Sequence, residues 1–186
     1  MIQITMANPK ALEIEQTPSK IYVTTVGNHE VLKFSFVGLP DAGSRLVPYL
    51  GYKLGVKQIL PAKRTDKVPG AWEDVITFSN YSFTMGVDLK SHIGFIKPGM
   101  RILMVDDVVA HGTTAIAAIK AVQAAGAEVA GLAVLFNKAW QPGMTEIKEA
   151  TGVEVCSLIT IKEITKDKRV ILWVKNLWLL AKKLRF

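Results

Sequence analysis

The stretch Ile102-Leu103-Met104-Val105-Asp106-Asp107-Val108-Val109-Ala110-His111-Gly112-Thr113-Thr114 constrains the fold of this chain more than any other segment. Its apolar start ends in two acids, the pattern of a buried parallel strand whose carboxyl end reaches a site. A loop of small residues follows. From Thr113 to Ala125 apolar residues then recur at helical spacing, and Gly126 is placed to cap that helix. A strand that turns directly into a helix belongs to an α/β architecture, and in open parallel sheets ligands bind beyond the carboxyl ends of the strands. Asp106 and Asp107 can bind sugar hydroxyls there, directly or through a divalent cation. The backbone N–H groups of the loop, the Thr113 and Thr114 hydroxyls and the helix dipole all favour a phosphate.

The remainder of the chain agrees with alternating strands and helices. Apolar runs at 21–26 and 31–37 flank Gly27-Asn28, a hairpin signal. The second run leads into Leu-Pro-Asp-Ala-Gly and a helical pattern through Leu46, Leu50 and Leu54, with Gly55 as its C-cap. Residues 57–62 read as a strand, 63–73 as a polar and basic mobile loop, 74–83 and 87–96 as extended, and Lys97-Pro98-Gly99 as a turn. A strand at 129–136, a short helix at 145–150 and a last strand at 153–161 complete the set. The expectation is one α/β domain over residues 1–186, with its core at about 32–164 and a mostly parallel central sheet flanked by helices.

Composition narrows the function classes. With 186 residues, 49% hydrophobic and 21% charged, the chain has the makeup of an ordinary globular domain. The opening MIQITMANPK lacks the basic start and apolar run of a signal peptide, and no stretch approaches the roughly 20 apolar residues of a membrane span. The single cysteine, Cys156, cannot form an internal disulfide and suits a reducing compartment, so a cytoplasmic location is expected. Cys156 lies in an apolar strand and reads as core rather than nucleophile. His29 and His92 have no metal-ligand spacing with any partner and read as surface or strand residues. The formal charge of +7 favours anions, but eight Lys or Arg against two acids fall between Lys162 and Arg185, away from the acidic motif.

The order of four apolar residues, two acids, two apolar residues and a Gly-Thr-Thr loop resembles the phosphoribosyl pyrophosphate signature of the type I phosphoribosyltransferases. His111 departs from it, since the family commonly has Thr there. Upstream, FVGLPDAGSRLVPYLGYKLGV resembles the family's first strand, pyrophosphate loop and first helix, with Leu39, Pro40, Asp41, Ala42 and Gly43 as that loop. Asn80-Tyr81-Ser82-Phe83-Thr84 and Asn137-Lys138-Ala139-Trp140-Gln141-Pro142-Gly143 are similar to stretches of the bacterial xanthine phosphoribosyltransferases. Lys67-Val68-Pro69-Gly70 and Tyr81 before Met85-Gly86 are similar to adenine phosphoribosyltransferases. The resemblance covers about residues 34–164 and implies the type I fold with a small hood or terminal extension.

It also implies a transferase that joins a purine to phosphoribosyl pyrophosphate, releasing pyrophosphate with inversion at C1 through an oxocarbenium-like state. Asp106 and Asp107 would lie beside the sugar and help to hold Mg²⁺ through the substrate. Ala110, His111, Gly112, Thr113 and Thr114 would hold the 5-phosphate. Asp41, Ala42 and Gly43, with a lid of Lys63, Arg64 and Lys67, would hold the pyrophosphate. Lys138 would donate to a 6-oxo group and Trp140 would pack on the base, favouring xanthine, hypoxanthine or guanine. An ammonium cannot accept from the amino group of adenine. Adenine is the alternative. No general base is apparent beyond Asp107.

From Lys168 the polar pairs Lys168-Arg169, Lys175-Asn176 and Lys182-Lys183 recur every seven residues between apolar ones, which predicts an amphipathic basic helix at about 167–184. Its wide apolar face should bury against the core or a second subunit, and a homodimer is expected; an interfacial membrane helix is the lesser reading. A phosphoribosyl pyrophosphate-sensing regulator that binds nucleic acid is the rival class. It calls for an added winged or helix-turn-helix domain, which the sequence before Phe34 does not offer. A single-domain RNA binder stays open on charge. Nucleic acid is not the expected partner.

Overall fold

The structure is a computed structural model, and it describes residues 34–174 except 57, 83, 84 and 168. The elements run β1 (Ser35–Gly38), α1 (Gly43–Leu54), β2 (Gln58–Leu60), β3 (Ala62–Arg64), β4 (Ile76–Ser82), β5 (Val87–Ile93), β6 (Arg101–Val109), α2 (Thr113–Ala124), β7 (Glu128–Lys138), α3 (Gly143–Thr151), β8 (Val155–Ile164) and β9 (Val170–Val174). Six strands form the central sheet in the order β2-β1-β6-β7-β8-β9, parallel throughout except for antiparallel β9. A second sheet, β3-β5-β4, is antiparallel.

The sheet is covered on both faces because its strands are apolar on both. Phe36 and Val105 point to one side, where Val47, Leu46 and Leu50 of α1 meet them. Val37, Ile102 and Met104 point to the other, against Ala115, Ala118, Ile119 and Val122 of α2 and Ile147 of α3. Phe78 and Ile93 carry the antiparallel sheet onto this second cluster. α1 lies close to the sheet because its buried stripe is Gly43, Val47 and Gly51; a Cβ on Gly51 would stand 2.6 Å from Ile59 Cδ1.

Four features differ from the sequence reading. Residues 62–64, assigned partly to a loop, form β3, with Lys63 opposite His92 and Arg64 opposite Ser91. His92 is a strand residue in β5, one of its two expected placements, but it is fully buried rather than on the surface: its Nδ1 lies 2.8 Å from Thr77 Oγ1 and its Nε2 3.0 Å from the Thr65 carbonyl, so both ring nitrogens are used in holding a strand to a loop. Cys156 does lie in a strand, yet it is exposed. The basic helix expected at 167–184 is instead a strand over Val170–Val174. Thr165 and Arg169 close a turn with three hydrogen bonds, and the returning chain pairs with β8 from Ile164↔Val170 to Ile159↔Val174. The β-branched Val170 and Ile171 suit that pairing, and the edge of β8 supplies the backbone partners. The rest of that segment, His29, and the hairpin over 21–37 as far as residue 33 lie outside the described residues.

Candidate active site at the sheet switch point

From β1 the chain passes through α1 to β2 on one side, and from β6 it passes through α2 to β7 on the other. Neighbouring strands β1 and β6 therefore send their following loops to opposite faces, which opens a crevice between their carboxyl ends. Both loops meet there. Leu39 N–H donates to the Val105 carbonyl at 2.8 Å, and a Cβ on Gly43 would stand 2.4 Å from that carbonyl oxygen. Only glycine allows this approach. The Gly43 backbone in turn hydrogen-bonds to the Asp106 carboxylate.

Asp106 is half-buried at the end of β6, and its Oδ1 accepts the Asp107 N–H at 2.9 Å. Burial pushes its pKa from 3.8 up to about 7; the Asp107 charge adds to the rise, while backbone N–H groups of Asp107 and Gly43 oppose it. Asp107 Oδ1 accepts the Val108 N–H at 2.8 Å. Ala110 to Gly112 then turn into α2, with Gly112 at φ 75° as its N-cap. No side chain caps α2, so its first N–H groups are left to a ligand or to water.

A cavity of about 200 Å³ is lined by Arg64, Asp106, Val108–Ala115 and, across from them, Asn80, Tyr81, Ser82 and Leu89. It gathers the expected Asp106, Ala110, His111, Gly112, Thr113, Thr114 and Arg64. The remaining expected residues do not line it. Asp41 is ion-paired to Arg64 at 2.9 Å, and Ala42 and Gly43 begin α1. Lys63 and Lys67 are exposed; Lys63 alternates with Arg64 along β3 and points to the opposite face. Of the three basic residues expected to form a lid, Arg64 borders the cavity here. Lys138 ends β7 and is half-buried, and Trp140 follows with 49% exposure. Gln141 ties this turn to the loop before α2, its Nε2 lying 3.2 Å from His111 Nε2, and Gly143 N–H donates to the Ala110 carbonyl at 3.1 Å.

Sequence reasoning gave no role to the β4 wall. Asn80 is 8% exposed, and the Tyr81 carbonyl accepts the Thr113 hydroxyl at 3.3 Å, which links β4 to the start of α2. The likeness of residues 80–84 to a known stretch marked this wall, but nothing in its composition said that it faces the acids. Among the described residues no group of three or more His, Cys, Asp or Glu could hold a metal. Two adjacent carboxylates at a strand end suit a Mg²⁺ that keeps its waters and is shared with a substrate's phosphates, as this ion prefers.

The switch-point crevice, the acidic strand end and the glycine-containing loop that opens α2 are the arrangement of the type I phosphoribosyltransferase class of α/β domain. The chain belongs to the phosphoribosyl transferase domain family, which matches residues 8–172. It is 40% identical over 111 residues to an adenine phosphoribosyltransferase of Clostridium perfringens, covering 59% of this chain and 60% of that protein. It is 35% identical over 97 residues to a xanthine phosphoribosyltransferase of Clostridium acetobutylicum, covering 51% of each. The chain thus spans between half and three-fifths of the length of these relatives. Among solved structures, adenine phosphoribosyltransferase from Rhodothermus marinus superimposes with a TM-score of 0.57 at 29% identity, over 69% of this chain and 70% of that one. The Trypanosoma brucei adenine phosphoribosyl transferase in complex with AMP, pyrophosphate and ribose-5-phosphate shares the fold, with a TM-score of 0.61 at 19% identity over 81% and 68%. No described helix is long and apolar enough to cross a membrane.

Proposed function

We propose that this chain is a purine phosphoribosyltransferase, forming a nucleoside 5′-monophosphate and pyrophosphate from a purine base and phosphoribosyl pyrophosphate. One observation carries the reading: Asp106 and the Ala110–Thr114 loop line one cavity at the β1–β6 switch point. The loop and the α2 N-terminus would take the 5-phosphate, and Asp106 and Asp107 the ribose hydroxyls. The base ring nitrogen attacks C1 as the C1–O bond to pyrophosphate breaks, and positive charge develops on the sugar ring. Ionised Asp106, in the cavity wall with Asp107 next to it in β6, stabilises that charge from a fixed position. Arg64 meets the departing pyrophosphate. The β4 wall and the loop around the cavity exclude water, which would otherwise hydrolyse the donor. Asp106 and Asp107 would help to hold Mg²⁺ through the substrate, and the ion would neutralise charge on the leaving group.

For the base we favour a 6-oxopurine, because Lys138 ends the strand beside the phosphate loop and can donate to a carbonyl but cannot accept from an amino group. Adenine is the second reading, favoured by the 40% identical relative named for it. A homodimer in the cytoplasm is part of the proposal. With adenine, hypoxanthine, guanine and xanthine compared at equal concentration, Lys138→Ala should lower kcat/KM for the oxopurines by about 10–100-fold, as expected for losing one hydrogen bond from a charged donor. An enzyme that turns over adenine alone, with Lys138→Ala silent, would sink the assignment of the base while leaving the class intact.

A further inference from the structure

Arg64 is, among the described residues, the one Lys or Arg that borders the cavity. Its Nη1 donates to Asp41 Oδ2 at 2.9 Å, and its Nη2 donates to the Pro40 carbonyl at 3.1 Å. Both acceptors belong to the loop between β1 and α1, so the guanidinium of the antiparallel sheet is clamped to the loop of the central sheet. A guanidinium carries five N–H groups in a planar fork. With one hydrogen of each terminal nitrogen so used, each keeps a second N–H for another acceptor. The Nε atom is buried with no partner, which leaves the two terminal nitrogens as the recognition end.

The family resemblance put Asp41 in the loop that holds pyrophosphate, but charge argues against direct contact of its side chain with that anion. A carboxylate touching a polyanion repels it. The side chains are 28% and 57% exposed for Arg64 and Asp41, and a pair this open to water contributes little to stability. What the pair does fix is direction. We infer that Asp41 is a positioning residue: together with the Pro40 carbonyl it holds the Arg64 guanidinium so that its remaining N–H groups face a diphosphate in the cavity, without touching that anion itself. This rests on the proposed reading of the cavity as a phosphoribosyl pyrophosphate site and assigns recognition of its pyrophosphate end.

The test is calorimetric binding of Mg²⁺-pyrophosphate and, separately, of ribose 5-phosphate to the full chain and its variants. Asp41→Ala and Arg64→Ala should each weaken pyrophosphate binding about tenfold, the scale of one charge-assisted hydrogen bond. The double variant should bind no more weakly than Arg64→Ala alone, because Asp41 acts only through Arg64. Asp41→Asn keeps an acceptor for Nη1 while removing the negative charge, so it should bind at least as tightly as wild type. Arg64→Lys, unable to span both acceptors, should bind more weakly. Ribose 5-phosphate binding should be unchanged throughout. Losses that multiply in the double variant would overturn the inference, as would tighter binding in Asp41→Ala or no change in Arg64→Ala. A wild-type chain that binds ribose 5-phosphate but not pyrophosphate sinks the inference and leaves the phosphate loop standing. One that binds neither sinks the reading of the cavity, and the inference with it.

Discussion

At the scale of single residues, Asp106 sets the pH behaviour. Burial lifts its pKa from 3.8 to about 7, so between these values the folded chain holds a proton that the unfolded chain has released. Stability from this group is complete below about pH 4, falls as pH rises through the window, and levels off above about pH 7. The total loss is at most about 4 kcal/mol, at roughly 1.4 kcal/mol per pH unit. Denaturant midpoints taken from pH 4 to 8 should show that decline, and Asp106→Asn should flatten it. The proposed catalysis asks for the opposite state, since on that reading only ionised Asp106 offsets positive charge at C1. kcat/KM for phosphoribosyl pyrophosphate should therefore rise with pH towards about 7 and then level, and a profile flat across pH 5–8 would remove Asp106 from the chemistry. Both acids were legible in the sequence because two charges ending an apolar run need a site or solvent. The burial of His92 was not, because its partners Thr77 and Thr65 meet it only through the pairing of three strands.

Among the elements, the loop that opens α2 sits tightly against α3. Gly112 adopts φ 75°, and a Cβ there would stand 2.8 Å from Ile147 Cγ1 and 3.0 Å from the Gly143 carbonyl oxygen. Gly112→Ala would combine left-handed strain of about 1–2 kcal/mol with a clash between the loop and α3. Its melting temperature should fall by about 4 °C or more, at roughly 2–4 °C per kcal/mol for a chain of this size, and ribose 5-phosphate binding should weaken with it. An unchanged melting temperature would mean that the loop is less constrained than its contacts imply. Most elements were legible because local patterns define them: the buried run of β6, the spacing along α2, and the glycines after α1 and α2. β3 was obscured by the basic residues Lys63 and Arg64, whose pairing with β5 is antiparallel and non-local. β9 was read as a helix because a seven-residue recurrence of polar pairs satisfies helical spacing. Its pairing with β8 depends instead on a turn closed by Thr165 and Arg169.

For the whole molecule, the antiparallel sheet packs on the main core through Phe78 and Ile93, and at the cavity it is tied to the loops of the central sheet by Arg64 to Asp41 and Thr113 to Tyr81. A ligand seated between them binds the folded chain alone. Phosphoribosyl pyrophosphate with Mg²⁺ at about 100 times its Kd should add about 2.7 kcal/mol, or roughly 5–10 °C in melting temperature. RNA at matched charge should give no such shift, and a larger shift with RNA would favour the regulator. The most direct test of the central claim follows pyrophosphate release from phosphoribosyl pyrophosphate by the purified chain with Mg²⁺, with each purine, uracil or orotate offered in turn. Release should require a purine, yield its nucleoside 5′-monophosphate in equal amount, and fall at least 100-fold in Asp106→Asn, the scale of one well-placed electrostatic group. Binding of the donor without release from any base would contradict that claim.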